Sequence, residues 1–116
     1  MTRKPSAAAV RDQRRRNYQD LAATLNILAN PHRLAILHYL NARPEPASTI
    51  GDLIVGLTLD GMALTSSSVS QHVTRLASVG LVAKTAVAHP GGRHVEILPV
   101  PAALSAVAEA LAKLAP

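Results

Sequence analysis

The sequence predicts one mainly α-helical domain, with five helices and a two-stranded β-hairpin in the order α-α-α-α-β-β-α. The chain of 116 residues has room for a single core, and 48% of its residues are hydrophobic while 2% are aromatic. Such an aliphatic, alanine-rich composition favours helices. Apolar residues recur at helical spacing along most of the chain, and a Pro-Gly turn separates two strand-like runs near residue 90.

The chain divides into a short basic segment and a folded domain. Residues 1–17 are predicted to form a basic N-terminal arm or the start of the first helix, and residues 18–116 form the domain. From Tyr18 onwards, apolar residues follow one another at spacings of three, four and three. This pattern draws a stripe along a helix that ends near Ala29.

The second and third helices have clear start signals. Asn30 can cap a helix, and the missing N–H of Pro31 costs nothing at the first helical position. Residues 41–47 contain two prolines and are predicted to be a linker. Ser48 or Thr49 can then cap the third helix. The residues expected to bury the second helix are Leu34, Ile36, Leu37 and Leu40.

The fourth helix follows a loop over residues 59–64 and is predicted to start at Thr65 or Ser66. Gly80 stands where a glycine commonly ends a helix. The residues expected on the inner face of this helix are Val69, Val73 and Leu76.

Two short strands and a last helix complete the predicted domain. Residues 82–88 and 93–98 are short strand-like runs, and residues 89–92 supply the turn between them. Residues 102–114 again carry apolar residues at spacings of three, four and three, which predicts the fifth helix.

Charge and residue content restrict the classes of function that the protein can have. Twelve Lys and Arg against seven Asp and Glu give a formal charge of +5, which favours a polyanionic partner such as nucleic acid. The absence of cysteine excludes disulfides, thiolate metal sites and cysteine nucleophiles. With no phosphate loop, nucleophile motif or paired carboxylates, we expect no enzyme. No segment has the length of a membrane span or of a secretion signal, so we expect a cytoplasmic protein without membrane contact.

The order of elements is that of a winged helix-turn-helix, in which one helix enters the major groove of double-stranded DNA and the hairpin reaches the flanking backbone. Hydroxyl, amide and guanidinium groups of the fourth helix suit phosphates and base edges. The alternative is that its serines only cap and solubilise the helix. The predicted DNA-binding residues are Ser67, Ser68, Ser70, Gln71, Thr74 and Arg75 on this helix and Arg93 on the wing.

Three segments match a known family in order and spacing. Residues 28–37 resemble the entry into the second helix of the ArsR/SmtB winged-helix repressors. Residues 68–76, followed by Gly-Leu-Val at 80–82, resemble the recognition helix of that family, and residues 92–95 resemble its wing. The three matches together span about residues 19–98.

The resemblance implies a homodimeric regulator that binds a palindromic operator, with repression released by an effector. The alternatives are a winged-helix protein-interaction module and a DNA-binding subunit that relies on a separate sensor protein. The dimer seam of the family, built from its first and last helices, is carried over to Leu21, Leu25, Leu28, Leu104, Val107, Leu111 and Leu114. In the competing interpretation these stripes simply pack on the core.

The sequence departs from the family at both of its usual metal sites. Residues 48–52 hold no cysteine, and the last helix offers only Glu109 as a ligand. His89 and His94 flank the wing turn and are the weak candidates for a Ni or Zn ion, so no metal or other cofactor is assigned. About five extra residues around 59–63 form an idle surface loop or part of an effector pocket.

Overall fold

The computed structural model describes residues 4–43 and 47–115. Over these residues it contains five helices and two strands in the predicted order, which confirms the fold class of a winged helix-turn-helix. The elements are α1 (Ala7–Leu28), α2 (Pro31–Ala42), α3 (Ile50–Leu59), α4 (Ser66–Ser78), β1 (Val82–His89), β2 (Gly92–Pro99) and α5 (Pro101–Ala112).

Side-chain caps fix the starts of the first four helices. Asn30 Oδ1 accepts from the backbone N–H groups of the second and third residues of α2, at 2.9 and 3.2 Å. Thr49 and Asp52 form a reciprocal capping box at α3, and Thr65 caps α4. These contacts confirm the predicted starts and select Thr49 and Thr65 over the neighbouring serines. Ser6 caps α1, so the helix begins within the segment expected to be an arm or a helix start.

One expectation about burial is wrong. Leu34 is 53% exposed, because at 100° per residue it lies about 110° around α2 from the centre of the stripe formed by Ile36, Leu37 and Leu40. Tyr18, at the start of the apolar stripe of α1, is 55% exposed, and every residue from 4 to 20 is exposed, so α1 meets the core only beyond this stretch.

One aliphatic core joins the second half of α1 to α2, α3, α4 and the hairpin. The inner face of α4 is buried as predicted, with Val69, Val73 and Leu76 each 0% exposed. Within α5, which the structure describes in full, no residue is buried. The other buried apolar residues are Ile27, Ile36, Leu37, Leu40, Leu53, Leu57, Leu81, Val82 and Ile97.

Gly80 ends α4 as predicted and turns the chain into the hairpin. Its φ of 75° lies in the left-handed region that glycine adopts without strain. The N–H of Leu81 then donates to the carbonyl of Leu76 at 3.1 Å, a bond typical of a glycine-terminated helix. Because Leu81 and Val82 are buried, β1 starts directly against the base of α4.

The hairpin is antiparallel, from Val82 paired with Pro99 to His89 paired with Gly92. Ser48, expected as a possible cap of the third helix, instead forms a backbone bridge with Ile97, with N···O distances of 3.0 and 2.7 Å. Across the described part of the chain, no helix is both long and apolar enough to cross a membrane.

Candidate nucleic-acid interface

The outer face of α4 is polar and open to solvent. Its rotation is set by the buried residues Val69, Val73 and Leu76, which recur at helical spacing and turn the remaining positions outward. A shallow concavity on this face is lined by Ser70, Gln71, Thr74, Arg75 and Ser78. The predicted DNA-binding residues of α4 that are exposed are Ser67, Ser70, Gln71, Thr74 and Arg75.

Ser68 differs from these residues, because it takes part in the helix cap. Its backbone N–H donates to Thr65 Oγ1 at 3.1 Å, and the two hydroxyl oxygens lie 3.0 Å apart. Ser68 is half-buried. The structural alternative considered for the serines therefore applies to Ser68, while Ser67 and Ser70 remain exposed.

The hairpin brings a cation to the same face. Lys84 Nζ on β1 donates to Thr74 Oγ1 at 3.2 Å. Residues paired across an antiparallel ladder share a face, and every second residue returns to it. Arg93, paired with Ala88, therefore lies on the same face of the hairpin as Lys84. No acidic residue stands in the first turn of α4, so this end of the fold presents cations and hydrogen-bond donors together.

A histidine of α4 faces inward and contacts α2. Arg33 Nε donates to His72 Nδ1 at 3.1 Å, and Arg33 Nη1 donates to the carbonyl of Ile27 at 3.0 Å. The ring of His32 stacks on that of His72, with centroids 5.7 Å apart and an interplanar angle of 15°. Burial, followed by the positive charge of Arg33 and then His32, lowers the pKa of His72 below its ordinary value of 6.5.

Local patterns in the sequence do not predict the Arg33–His72 contact, because 39 residues separate the partners. The family resemblance covers both residues, but a resemblance in sequence does not state which side chains touch. The contact of Lys84 with Thr74 likewise joins two elements and depends on the exact placement of β1 beside α4.

The two candidate metal ligands of the wing come close together. The rings of His89 and His94 have centroids 4.9 Å apart, and His94 Nε2 lies 3.3 Å from Glu96 Oε1. His89 Nδ1 accepts from the N–H of Gly91 at 3.2 Å. Over residues 4–43 and 47–115, no group of three or more His, Cys, Asp and Glu side chains is arranged to hold a metal ion. The pair lies on the hairpin face opposite Lys84.

The predicted dimer residues lie along α1 and α5, except for Leu114, which follows α5 because this helix ends at Ala112 and not at residue 114. Leu28, Leu104 and Val107 pack partly against the core. Leu21 and Leu25 are half-buried, whereas Leu111 is 40% and Leu114 is 59% exposed. A groove of about 480 Å³ runs between the two helices, with Tyr18, Leu21 and Leu114 in its lining and Arg14, Glu109 and Lys113 as its charged groups.

The fold and the polar face of α4 together define a winged helix-turn-helix domain whose exposed helix has the chemistry of a DNA-reading surface. The family model described as a helix-turn-helix domain matches residues 28–85, half of the 116 residues. The chain belongs to this helix-turn-helix domain family. Comparison with curated proteins finds no match.

Solved structures share the fold. An ArsR-like transcriptional regulator from Rhodococcus sp. RHA1 has 22% identity and a TM-score of 0.62, with 84% of this chain and 81% of that chain covered. Rv0081 from M. tuberculosis has 30% identity and a TM-score of 0.56, with 84% and 88% covered. The ferric uptake regulator from Pseudomonas aeruginosa, solved with manganese, has 21% identity and a TM-score of 0.52 over 61% of this chain. This chain covers about half of the length of that regulator, namely 51%.

Proposed function

We propose that the protein is a sequence-specific transcriptional regulator, similar to the ArsR/SmtB family, that binds a palindromic operator as a homodimer. The observation that carries the proposal is the exposed polar face of α4 beside the two cations of the hairpin. Aliphatic residues hold the helix on one side, and base-reading side chains are exposed on the other. Such a helix fits the major groove of double-stranded DNA.

The side chains divide between reading bases and holding phosphates. Gln71 can form paired hydrogen bonds with adenine, and Arg75 can do so with guanine, so these two residues set selectivity together with Thr74. Thr74 accepts from Lys84 and keeps its own hydroxyl hydrogen for a phosphate or a base. The residues proposed to hold phosphates are Ser67, Ser70, Lys84 and Arg93, while Ser68 positions the start of the helix.

Homodimer formation through α1 and α5 follows from the incomplete packing of these helices. The radius of gyration is 17.6 Å, against about 13 Å for a compact chain of this length. No residue of the fully described α5 is buried, and the groove beside it combines apolar lining with both signs of charge. A second copy can cover such a surface, and a two-fold axis would place both α4 helices on inverted half-sites.

The resemblance to ArsR/SmtB repressors supports repression that an effector releases. Both metal positions usual in that family lack ligands in this sequence. An effector of another chemistry or a separate sensor protein is therefore the controlling partner in this proposal. Beside the recognition unit, α3 ends at the exposed Leu59 and the following turn leads to the half-buried Met62, which makes this segment a place to examine for effector contacts.

Fluorescence anisotropy tests the DNA-reading role. The full-length protein is titrated against a duplex from upstream of its own gene and against a scrambled duplex, over a series of salt concentrations. We expect tighter binding to the upstream duplex at equal salt, and a loss of about 0.9 log units in affinity per phosphate contact for each log unit of salt. Equal binding to both duplexes would contradict recognition at that site, and no binding to either would favour the protein-interaction module.

Arg75→Ala tests the reading helix itself. Loss of a forked contact to a base costs about 1–3 kcal/mol, which is a five- to 150-fold loss of affinity by the usual conversion, at about tenfold per 1.4 kcal/mol. Arg11→Ala is the matched control, because Arg11 is exposed and lies about 24 Å along α1 from Ile27, given a rise of about 1.5 Å per residue. If the two substitutions weaken DNA binding equally, Arg75 contributes only its charge and does not contact a base.

Analytical ultracentrifugation tests the homodimer. We expect the wild-type protein to sediment with twice the mass of one chain. Leu111→Glu places a charge on the α5 surface without touching the core and should give monomers. Leu59→Glu makes the same change at a position that is 83% exposed on α3 and should leave the dimer intact. A monomeric wild type at micromolar concentration would contradict the assembly.

A further inference from the structure

One side chain of α2 ties two other helices together. Through its guanidinium, Arg33 donates to His72 in the middle of α4 and to the carbonyl of Ile27 near the end of α1. The backbone of Arg33 is itself held in place, because its N–H donates to Oδ1 of Asn30, the cap of α2. The link from α1 through α2 to α4 is therefore made of directional hydrogen bonds.

We propose that His72 is a positioning residue for the DNA-reading helix, and that it holds α4 in register with α2 only while its imidazole is neutral. The inference rests on the proposed function and adds a pH dependence to it. The aliphatic core contacts of α4 hold the helix without fixing a direction, because hydrophobic burial is non-directional. The Arg33–His72 hydrogen bond supplies a directional restraint on the helix that carries Gln71 and Thr74.

The protonation state follows from the partners. Arginine has donors and no acceptor, so the bond requires a lone pair on His72 Nδ1 and places the ring hydrogen on Nε2. A second proton would set an N–H of His72 against the Nε–H of Arg33 and a positive charge beside a guanidinium. Burial already lowers the pKa of His72, and the neighbouring cations act in the same direction.

The surroundings of His72 offer no carboxylate that offsets this repulsion in the described residues. From α2 it meets Arg33 and the ring of His32, and Arg33 in turn donates to the Ile27 carbonyl of α1. On the other elements packed against α4, Asp52 of α3 is bound to Thr49 and Lys84 of β1 is bound to Thr74. The titratable side chains of α1 and His89 of β1 are exposed, and the charges that act on the pKa of His72 are those of Arg33 and His32.

The sign of the effect distinguishes it from general electrostatics. Lower pH makes a protein more positive overall, which strengthens its attraction to DNA phosphates. Protonation of His72 does the opposite, because it releases α4 from α2. A loss of operator affinity in mild acid is therefore the signature of the positioning role.

The experiment measures the affinity of the full-length protein for a duplex that it binds specifically, at pH 7.5 and at pH 5.5 and equal ionic strength. The wild type should lose about three- to tenfold in affinity, the size expected when one ordinary hydrogen bond is lost. In His72→Asn, the amide oxygen can accept from Arg33 and does not titrate, so the ratio of the two affinities should stay near one. His38→Asn, on the exposed face of α2, should keep the wild-type ratio.

A second measurement does not depend on DNA. Nitrogen-15 NMR of the free protein reports the tautomer of His72 and the amide signals of α4 during a pH titration. We expect the hydrogen on Nε2 at neutral pH, and α4 signals that move with protonation in the wild type but not in His72→Asn. If no DNA binds at pH 7.5, the proposed function fails while this result still decides the role of His72. Three results would each overturn the positioning role of His72. They are a wild-type affinity that stays constant or rises in acid, an equal loss of affinity in His72→Asn, and α4 signals that do not move during the pH titration.

Discussion

Gly56 is expected to be essential for the packing of α3 on α2. It is buried, and a Cβ atom added there would lie 2.5 Å from Cδ2 and 3.1 Å from Cζ of Tyr39. The Tyr39 ring is tethered, because its hydroxyl accepts from Arg43 and the Arg43 guanidinium lies 5.1 Å from the ring centroid. Gly56→Ala must therefore shift a ring that has its own partners.

The size of the effect follows from two opposing terms. Overpacking of a core costs about 1–3 kcal/mol, and replacing glycine by alanine within a helix returns about 0.5–1 kcal/mol. Because more than one ring atom would clash, we place the steric cost in the upper half of its range. The free energy of unfolding should fall by about 1–2.5 kcal/mol, which lowers Tm by about 4–10 °C.

Urea unfolding at fixed protein concentration is the assay, with Gly51→Ala as the control. A Cβ atom at Gly51 meets only Thr49 Oγ1 at 3.6 Å, so this variant should be as stable as the wild type or slightly more stable. In a Tyr39→Ala background, Gly56→Ala should lose its destabilising effect, as a double-mutant cycle would show. A Gly56→Ala protein at least as stable as the wild type would refute the packing argument.

Three further predictions concern the cap, the core and the acid response. Thr49→Ala removes the capping box of α3 and should lower the free energy of unfolding by about 1 kcal/mol, whereas Ser66→Ala should change little in the same denaturation series. Leu76→Ala leaves a cavity at a position that is 0% exposed and should cost about 2–5 kcal/mol, measured by urea unfolding; a loss below 1 kcal/mol would contradict the packing of α4. Because the folded-state pKa of His72 is lowered, the unfolded chain takes up this proton first, so the contribution of His72 to stability is full above about pH 6.5 and declines below it. Tm measured from pH 7.5 to 5.0 should fall less in His72→Asn than in the wild type, and parallel curves would contradict the assignment.

Local signals in the sequence predict most of the element boundaries. The caps at Asn30, Thr49 and Thr65 and the glycine stop at Gly80 are each a contact between near neighbours, so the residue types alone indicate them. The buried face of α4 follows from spacing, because three aliphatic residues at helical intervals can face only one side.

Contacts between distant segments could not be predicted in the same way. Arg33 meets His72 only because α2 and α4 pack together, and neither side chain carries a local signal of its partner. Leu34 was expected in the core because it is leucine on a largely apolar helix, yet its angular position leaves it exposed. The start of α1 was left open because residues 7–20 have no buried face that would set a pattern.

Selection from a pool of randomised duplexes tests the central claim, that the outer face of α4 reads a DNA sequence. The full-length protein should enrich a motif with two inverted half-sites whose centres lie about 10–10.5 base pairs, or a multiple of that, apart. Gln71→Ala should relax the preference at a position within each half-site and leave the spacing unchanged. Enrichment of no motif, or of the same motif with the same preferences by Gln71→Ala and Arg75→Ala, would contradict the account.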